Sequence, residues 1–79
     1  MIDILKIDDH WVIRCPSACQ DEPKTAYLFW AGGMWRYDLV LAMKFSTKEL
    51  ATSYLAKSAD RMASRAAYTK YELRRNDGK

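Results

Sequence analysis

Residues 11–15 are mostly apolar, β-branched or aromatic, and in a β-strand every second one lies on the same face. Trp11, Ile13 and Cys15 share that face, and Pro16 then removes the next backbone donor. The pattern therefore predicts a strand that stops at Pro16.

The segments on either side of this strand differ in character. The apolar run 2–7 precedes it, and we interpret this run as an extension of the same strand beyond a kink at Asp8–Asp9. Residues 16–25 follow it and contain two prolines and several charges, which predicts a loop.

Two further apolar runs, 26–31 and 34–37, are joined by Gly32 and Gly33. Glycine readily adopts the positive φ that a primed two-residue turn requires, so the runs predict a β-hairpin. The apolar run 38–45 is interpreted as a helical turn followed by a short extended stretch.

A helix is predicted from Thr47 to about Ala63, a span without Gly or Pro. It is preceded by a capping box, in which the Ser46 hydroxyl accepts from the Glu49 amide and the Glu49 side chain reaches back to the Ser46 amide. Its apolar stripe should pack against the sheet. The stripe consists of Leu50, Ala51, Tyr54, Leu55, Ser58 and Met62.

The last part of the chain alternates again. Thr69, Tyr71 and Leu73 fall on one side of the run 67–74, which predicts a strand that returns to the sheet, and 75–79 form a polar tail that we expect to be flexible. The predicted fold is α+β: a small antiparallel β-sheet of three to four strands packs against one main α-helix, in the order β-β-β-α-β.

Length and composition predict a single domain over residues 1–79. The chain has 79 residues, of which 49% are hydrophobic and 29% charged, which is a globular composition. A core of this size rarely contains a deep, water-excluded pocket, and no carboxylate pair, glycine-rich phosphate loop or nucleophile elbow is recognisable. We therefore expect neither an enzyme nor a cofactor.

The amino-terminal residues are too polar for a targeting or membrane segment. No apolar run there reaches the roughly 7–15 residues of a signal-peptide core or the roughly 20 of a membrane span. The expected location is the cytoplasm of the host cell, without membrane contact, and Cys15 and Cys19 are then expected to be free thiols.

Two chemical alternatives involve the single histidine. His10, Cys15 and Cys19 include zinc-ligand types, but a closed zinc site needs four ligands, so no metal is expected. His10 could also activate Cys15 as a nucleophile, although no third group to orient the pair is apparent. The simpler interpretation is a buried strand cysteine and a loop cysteine.

Four cations define a candidate binding face. Lys57, Arg61 and Arg65 are spaced four apart, and Arg74 would join them on the last strand. With a net charge of +3, such a cluster suits phosphate or an acidic protein face. The alternative is an ordinary solvated helix face, because Asp60 interrupts the cluster.

The hairpin concentrates large aromatic residues. Trp30, Trp35, Arg36 and Tyr37 bring together the three residue types that dominate interface energetics. Any single ring is expected in the core, but one small core has few places for so many large side chains. We therefore predict that at least one anchors a partner.

A further pattern spans residues 27–55 and consists of Tyr27, Leu28, Gly33, Trp35, Asp38, Leu39, Ala42, Phe45, Ser46, Glu49 and Ala51. It resembles a recurrent arrangement in very small proteins of phages and other mobile elements. Compact proteins of this kind include several anti-CRISPR proteins, stoichiometric inhibitors that dock onto a host CRISPR effector complex. Here Leu50 separates the glutamate and alanine that usually adjoin. No functional residue carries over, because such inhibitors share no binding motif.

The resemblance favours a non-catalytic, anti-CRISPR-like inhibitor whose partner is a host protein or nucleoprotein complex. A small basic nucleic-acid-binding module is the alternative. Both hypotheses leave monomer and homodimer open. The expected partner-binding residues are Trp30, Trp35, Arg36, Tyr37, Lys57, Arg61, Arg65 and Arg74.

Overall fold

The structure is a computed structural model that describes residues 2–18 and 26–77, with side chains described as far as residue 73. A four-stranded antiparallel sheet in the order β1-β2-β3-β4 packs against one long helix, which confirms the predicted fold class. The elements are β1 (Asp3–Ile7), β2 (His10–Pro16), β3 (Tyr27–Trp30), β4 (Trp35–Arg36), a 3₁₀ turn (Leu39–Leu41) and α1 (Lys48–Asp77).

The amino-terminal run is a separate strand, so its interpretation as an extension of β2 is wrong. The chain reverses at Asp8, whose φ is 57°, a left-handed conformation that aspartate tolerates better than most residues. Ile7 then pairs with His10, and Asp3 pairs with Arg14 at the other end of the ladder. The predicted kink is therefore a hairpin turn.

The glycine pair closes the hairpin of β3 and β4, as predicted. Trp30 pairs with Trp35, and the Ala31 amide donates to the Met34 carbonyl at 2.9 Å. Of the two glycines, only Gly32 has a positive φ, at 92°, so the turn meets the type II′ requirement at its first central position and does not need the positive φ at both positions that the pair predicts. One glycine of the two therefore supplies the conformation.

The connection from hairpin to helix is a 3₁₀ turn followed by extended chain, as predicted. The Asp38 carboxylate accepts from the Val40 amide at 3.0 Å and begins the turn. Beyond it, the Met43 amide donates to the Trp30 carbonyl, and Phe45 and Trp11 exchange two backbone hydrogen bonds of 2.8 Å. This segment gives the amino-terminal half of β2 a second neighbour.

Helix α1 begins one residue later than the capping box predicts. The Leu50 amide donates to the Thr47 hydroxyl at 3.1 Å, so Thr47 is the N-cap and Lys48 is the first helical residue. Glu49 still lies in the first turn, where its charge is favourable with the helix dipole.

The predicted last strand over 67–74 is wrong, because α1 continues through it to Asp77. Thr69 and Leu73 keep the three- and four-residue spacing of Met62 and Ala66, so they extend the helical stripe. No Gly or Pro interrupts the chain between Thr47 and Asp77. The alternation of β-branched and aromatic residues is the weaker signal here.

The core lies between α1 and one face of the sheet. From the predicted stripe, Ala51 and Met62 are fully buried and Tyr54 and Leu55 pack against the core, whereas Leu50 is exposed. The fully or nearly buried members of the core are Ile13, Cys15, Leu28, Trp30, Trp35, Phe45, Ala51, Met62 and Ala66.

Candidate binding surface

The two indoles of the hairpin lie in the core, as expected of any single ring, and not on the surface where a partner-binding residue would lie. Trp30 is 0% and Trp35 4% exposed, and their rings meet edge to face with centroids 5.2 Å apart. The Trp30 indole N–H donates to the Tyr54 hydroxyl at 3.1 Å, and that of Trp35 to the Met62 carbonyl at 3.0 Å. Edge-to-face packing and satisfied donors explain how one small core holds both rings.

The other two residues nominated in the hairpin lie nearer the surface. Tyr37 is half-buried, and its hydroxyl shares a 2.7 Å hydrogen bond with the Ser17 hydroxyl. Arg36 is exposed on the sheet face that α1 does not cover, and its Nε approaches the Met34 sulfur at 3.0 Å. Of the four hairpin residues, Arg36 is the one with an exposed charge.

The helix presents the three predicted cations on one side, which we call the basic flank: Lys57, Arg61 and Arg65. All three are exposed, and successive members are turned by only about 40° around the helix axis. Among the described residues, none of the three forms an ion pair, and neither does exposed Asp60. The Arg74 side chain lies outside the described part of the chain.

The basic flank runs beside the hairpin. A Cβ built on Gly33 would lie 3.9 Å from the Arg61 guanidinium, so Arg61 stands next to the turn. Arg65 lies over the Tyr68 ring, 5.6 Å from its centroid, and the Thr69 hydroxyl donates to the Arg65 carbonyl at 2.8 Å. The sheet edge at β4 and this side of the helix thus form one continuous surface.

Further along, the hairpin and the helix leave an open groove of about 310 Å³. Arg36 and Thr69 are both among its lining residues, so the groove reaches from the hairpin to α1. The groove is lined by Leu28, Trp35, Arg36, Tyr37, Asp38, Leu41, Thr69 and Leu73.

The proposed cysteine–histidine pair is not formed. Cys15 is buried on the helix side of β2, whereas His10 lies at the other end of the strand on the opposite face. Burial raises the pKa of the Cys15 thiol, which disfavours its thiolate. Cys19 lies outside the described residues. Within the described ranges, no three His, Cys, Asp or Glu side chains cluster as metal ligands would.

In the part of the chain that the structure describes, no helix combines the length and the apolar character needed to cross a bilayer.

Comparison of the chain with protein-family models, curated proteins and solved structures finds no match.

Sequence reasoning missed two exposed rings beside the basic flank. Tyr68 and Tyr71 are 56% and 60% exposed on α1. In a strand, Tyr71 would have faced the sheet with Thr69 and Leu73. Once the helix is known to continue, the three-residue spacing of Arg65, Tyr68 and Tyr71 places both rings near the flank.

Proposed function

We propose that this protein is a non-catalytic binding protein that docks through its basic flank onto an anionic macromolecular surface. The observation that carries the proposal is the state of Lys57, Arg61 and Arg65: all are exposed, lie on one side of the helix and form no ion pair with any residue that the structure describes. Cations in this state retain their capacity to neutralise a partner's charge.

A host nucleoprotein complex is the first partner class, and a CRISPR effector is the first such complex to test. The resemblance of residues 27–55 to small mobile-element proteins supports this choice. Because Trp30 and Trp35 lie in the core, the docking face in this proposal consists of the basic flank, and the indoles maintain the fold.

Co-elution of the full chain with guide-loaded effector complexes tests the proposal. The double substitution Arg61→Gln/Arg65→Gln should weaken co-elution. The matched control is Lys6→Gln/Lys48→Gln, which removes the same charge from two lysines that lie 5.9 Å from the Trp11 ring. Equal retention of both double variants would contradict a role for the flank, and retention by no effector would remove this partner class.

A nucleic-acid-binding module is the second candidate, favoured by the regular spacing of the flank along the helix. Successive cations rise by about 6 Å along the axis, as repeated contacts to a phosphate backbone require. A salt-titrated gel shift tests it: binding should fall steeply with salt, and each lost phosphate contact should reduce the slope by about one. No shift at low salt would exclude this candidate.

A further inference from the structure

Two tyrosine rings extend the basic flank toward the carboxyl end of α1. Tyr68 and Tyr71 are 56% and 60% exposed although α1 has a complete apolar face of its own against the sheet. They contribute little to the core. An exposed ring beside exposed cations is instead available to a ligand that combines a flat face with negative charge.

The cations and the rings form one row. The Arg65 guanidinium lies 5.6 Å from the centroid of the Tyr68 ring, so the last cation and the first ring are in contact. From Lys57 to Tyr71 the row spans about 21 Å of helix axis. It therefore offers charge along most of its length and stacking faces at one end.

A single-stranded nucleic acid matches both chemistries. Its phosphates are anionic, and its unstacked bases can lie against aromatic rings, an arrangement that contributes to affinity at single-strand sites. A duplex keeps its base faces covered, and the carboxylates that give a protein surface its negative charge do not stack on aromatic rings as bases do. The rings thus distinguish among anionic partners that the cations alone would accept.

We infer that the anionic partner is a single-stranded nucleic acid, whose phosphates contact Lys57, Arg61 and Arg65 and whose bases stack on Tyr68 and Tyr71. The inference rests on the proposed function, since it uses the basic flank as the docking face. Two acids lie close to the row, Asp60 exposed and Glu72 half-buried, and they limit its net charge to a modest value. We therefore expect base stacking to contribute to the affinity in addition to charge.

Fluorescence anisotropy with a labelled oligouridylate of about 12 nucleotides, and with a duplex of the same length, tests the inference on the full chain. Tyr68→Ala and Tyr71→Ala should each weaken single-strand binding about tenfold and leave the weaker duplex binding unchanged. Tyr68→Phe, which keeps the ring, should bind like the unsubstituted protein. Tyr27→Ala is the matched control, because Tyr27 is also exposed but lies in β3 beside Arg14.

Three results would overturn the inference. If Tyr68→Ala and Tyr71→Ala bind as the unsubstituted protein does while Arg61→Gln/Arg65→Gln does not, contact is to phosphate alone and the proposed function stands without stacking. If polyglutamate displaces the oligonucleotide as well as unlabelled oligouridylate does, the surface selects charge only. If neither oligonucleotide binds at low salt, the single-strand partner is excluded, and effector co-elution alone decides the proposed function.

Discussion

The hairpin and the basic flank both carry residues typical of interfaces, yet the fold uses them in opposite ways. Trp30 and Trp35 are buried with their indole donors satisfied, whereas Lys57, Arg61 and Arg65 are exposed and form no ion pair within the described ranges. The difference follows from geometry. Residues 30 and 35 are paired across β3 and β4, and both side chains point toward α1.

This comparison shows that residue type alone does not identify an interface. A large ring beside a tight turn can be a packing residue, and its burial is decided by which sheet face the helix covers. A row of cations on the side of a helix stays accessible because its charge is costly to bury. The two regions should therefore respond differently to substitution.

The largest expected effect is on the hairpin. Trp30→Ala should lower the free energy of unfolding by about 3–5 kcal/mol, because it leaves a cavity beside Trp35 and removes the donor to Tyr54. Urea denaturation followed by circular dichroism measures this. Met34→Ala in the same hairpin, where the side chain is 39% exposed, should cost far less, and equal losses would contradict the core role of Trp30.

Removal of one hydroxyl should have a smaller effect. Tyr54→Phe leaves the buried Trp30 indole N–H without its acceptor, which should cost about 1–3 kcal/mol in the same denaturation experiment. Tyr71→Phe deletes an exposed hydroxyl and should leave stability nearly unchanged. A Tyr54→Phe protein as stable as Tyr71→Phe would mean that water satisfies this donor.

Two substitutions at the start of α1 test whether Thr47 or Ser46 is the N-cap. Thr47→Ala should lower stability by about 1 kcal/mol because the Leu50 amide loses its acceptor, whereas Ser46→Ala should change it by less than about 0.5 kcal/mol. Paired denaturation curves decide between the two caps. The reverse order would favour the capping box that the sequence predicts.

The smallest expected effect on stability is on the basic flank. Arg61→Gln/Arg65→Gln should change the free energy of unfolding by less than about 0.5 kcal/mol, since both side chains are exposed and neither guanidinium has an ion pair among the described residues. Thermal denaturation beside the binding assays checks this. A large loss of stability would show that the flank supports the fold, and reduced binding by the variant could then not be assigned to contact.

The sequence predicts the elements whose signals are local. The glycine pair predicts the hairpin, and the apolar spacing from Ala51 to Met62 predicts the helix and its buried face. Several residues of the pattern over 27–55 have structural roles: Asp38 caps the 3₁₀ turn, and Ala42 and Phe45 are buried. That pattern therefore describes how the chain folds more than what it binds.

The sequence predicts less where tertiary packing decides. The alternation of Thr69, Tyr71 and Leu73 fits a strand, but packing of Thr69 and Leu73 beside the hairpin favours continued helix. The burial of Trp30 and Trp35 depends on the path of α1, which no local pattern specifies. For the same reason only part of the candidate site could be predicted. Its cations Lys57 and Arg61 lie in the predicted helix and Arg65 lies just beyond it, whereas Tyr68 and Tyr71 lie in the segment assigned to a strand.

The paired hydrogen bonds between Trp11 and Phe45 join segments that are made at different times on the ribosome. When the hairpin of β1 and β2 emerges, one edge of β2 still has no hydrogen-bonding partner. That edge is fully paired only after β3, β4 and the connection to α1 have been synthesised. We expect the native sheet to form late in synthesis, and the amide hydrogens of Trp11 and Phe45 to exchange with solvent chiefly when the whole molecule opens.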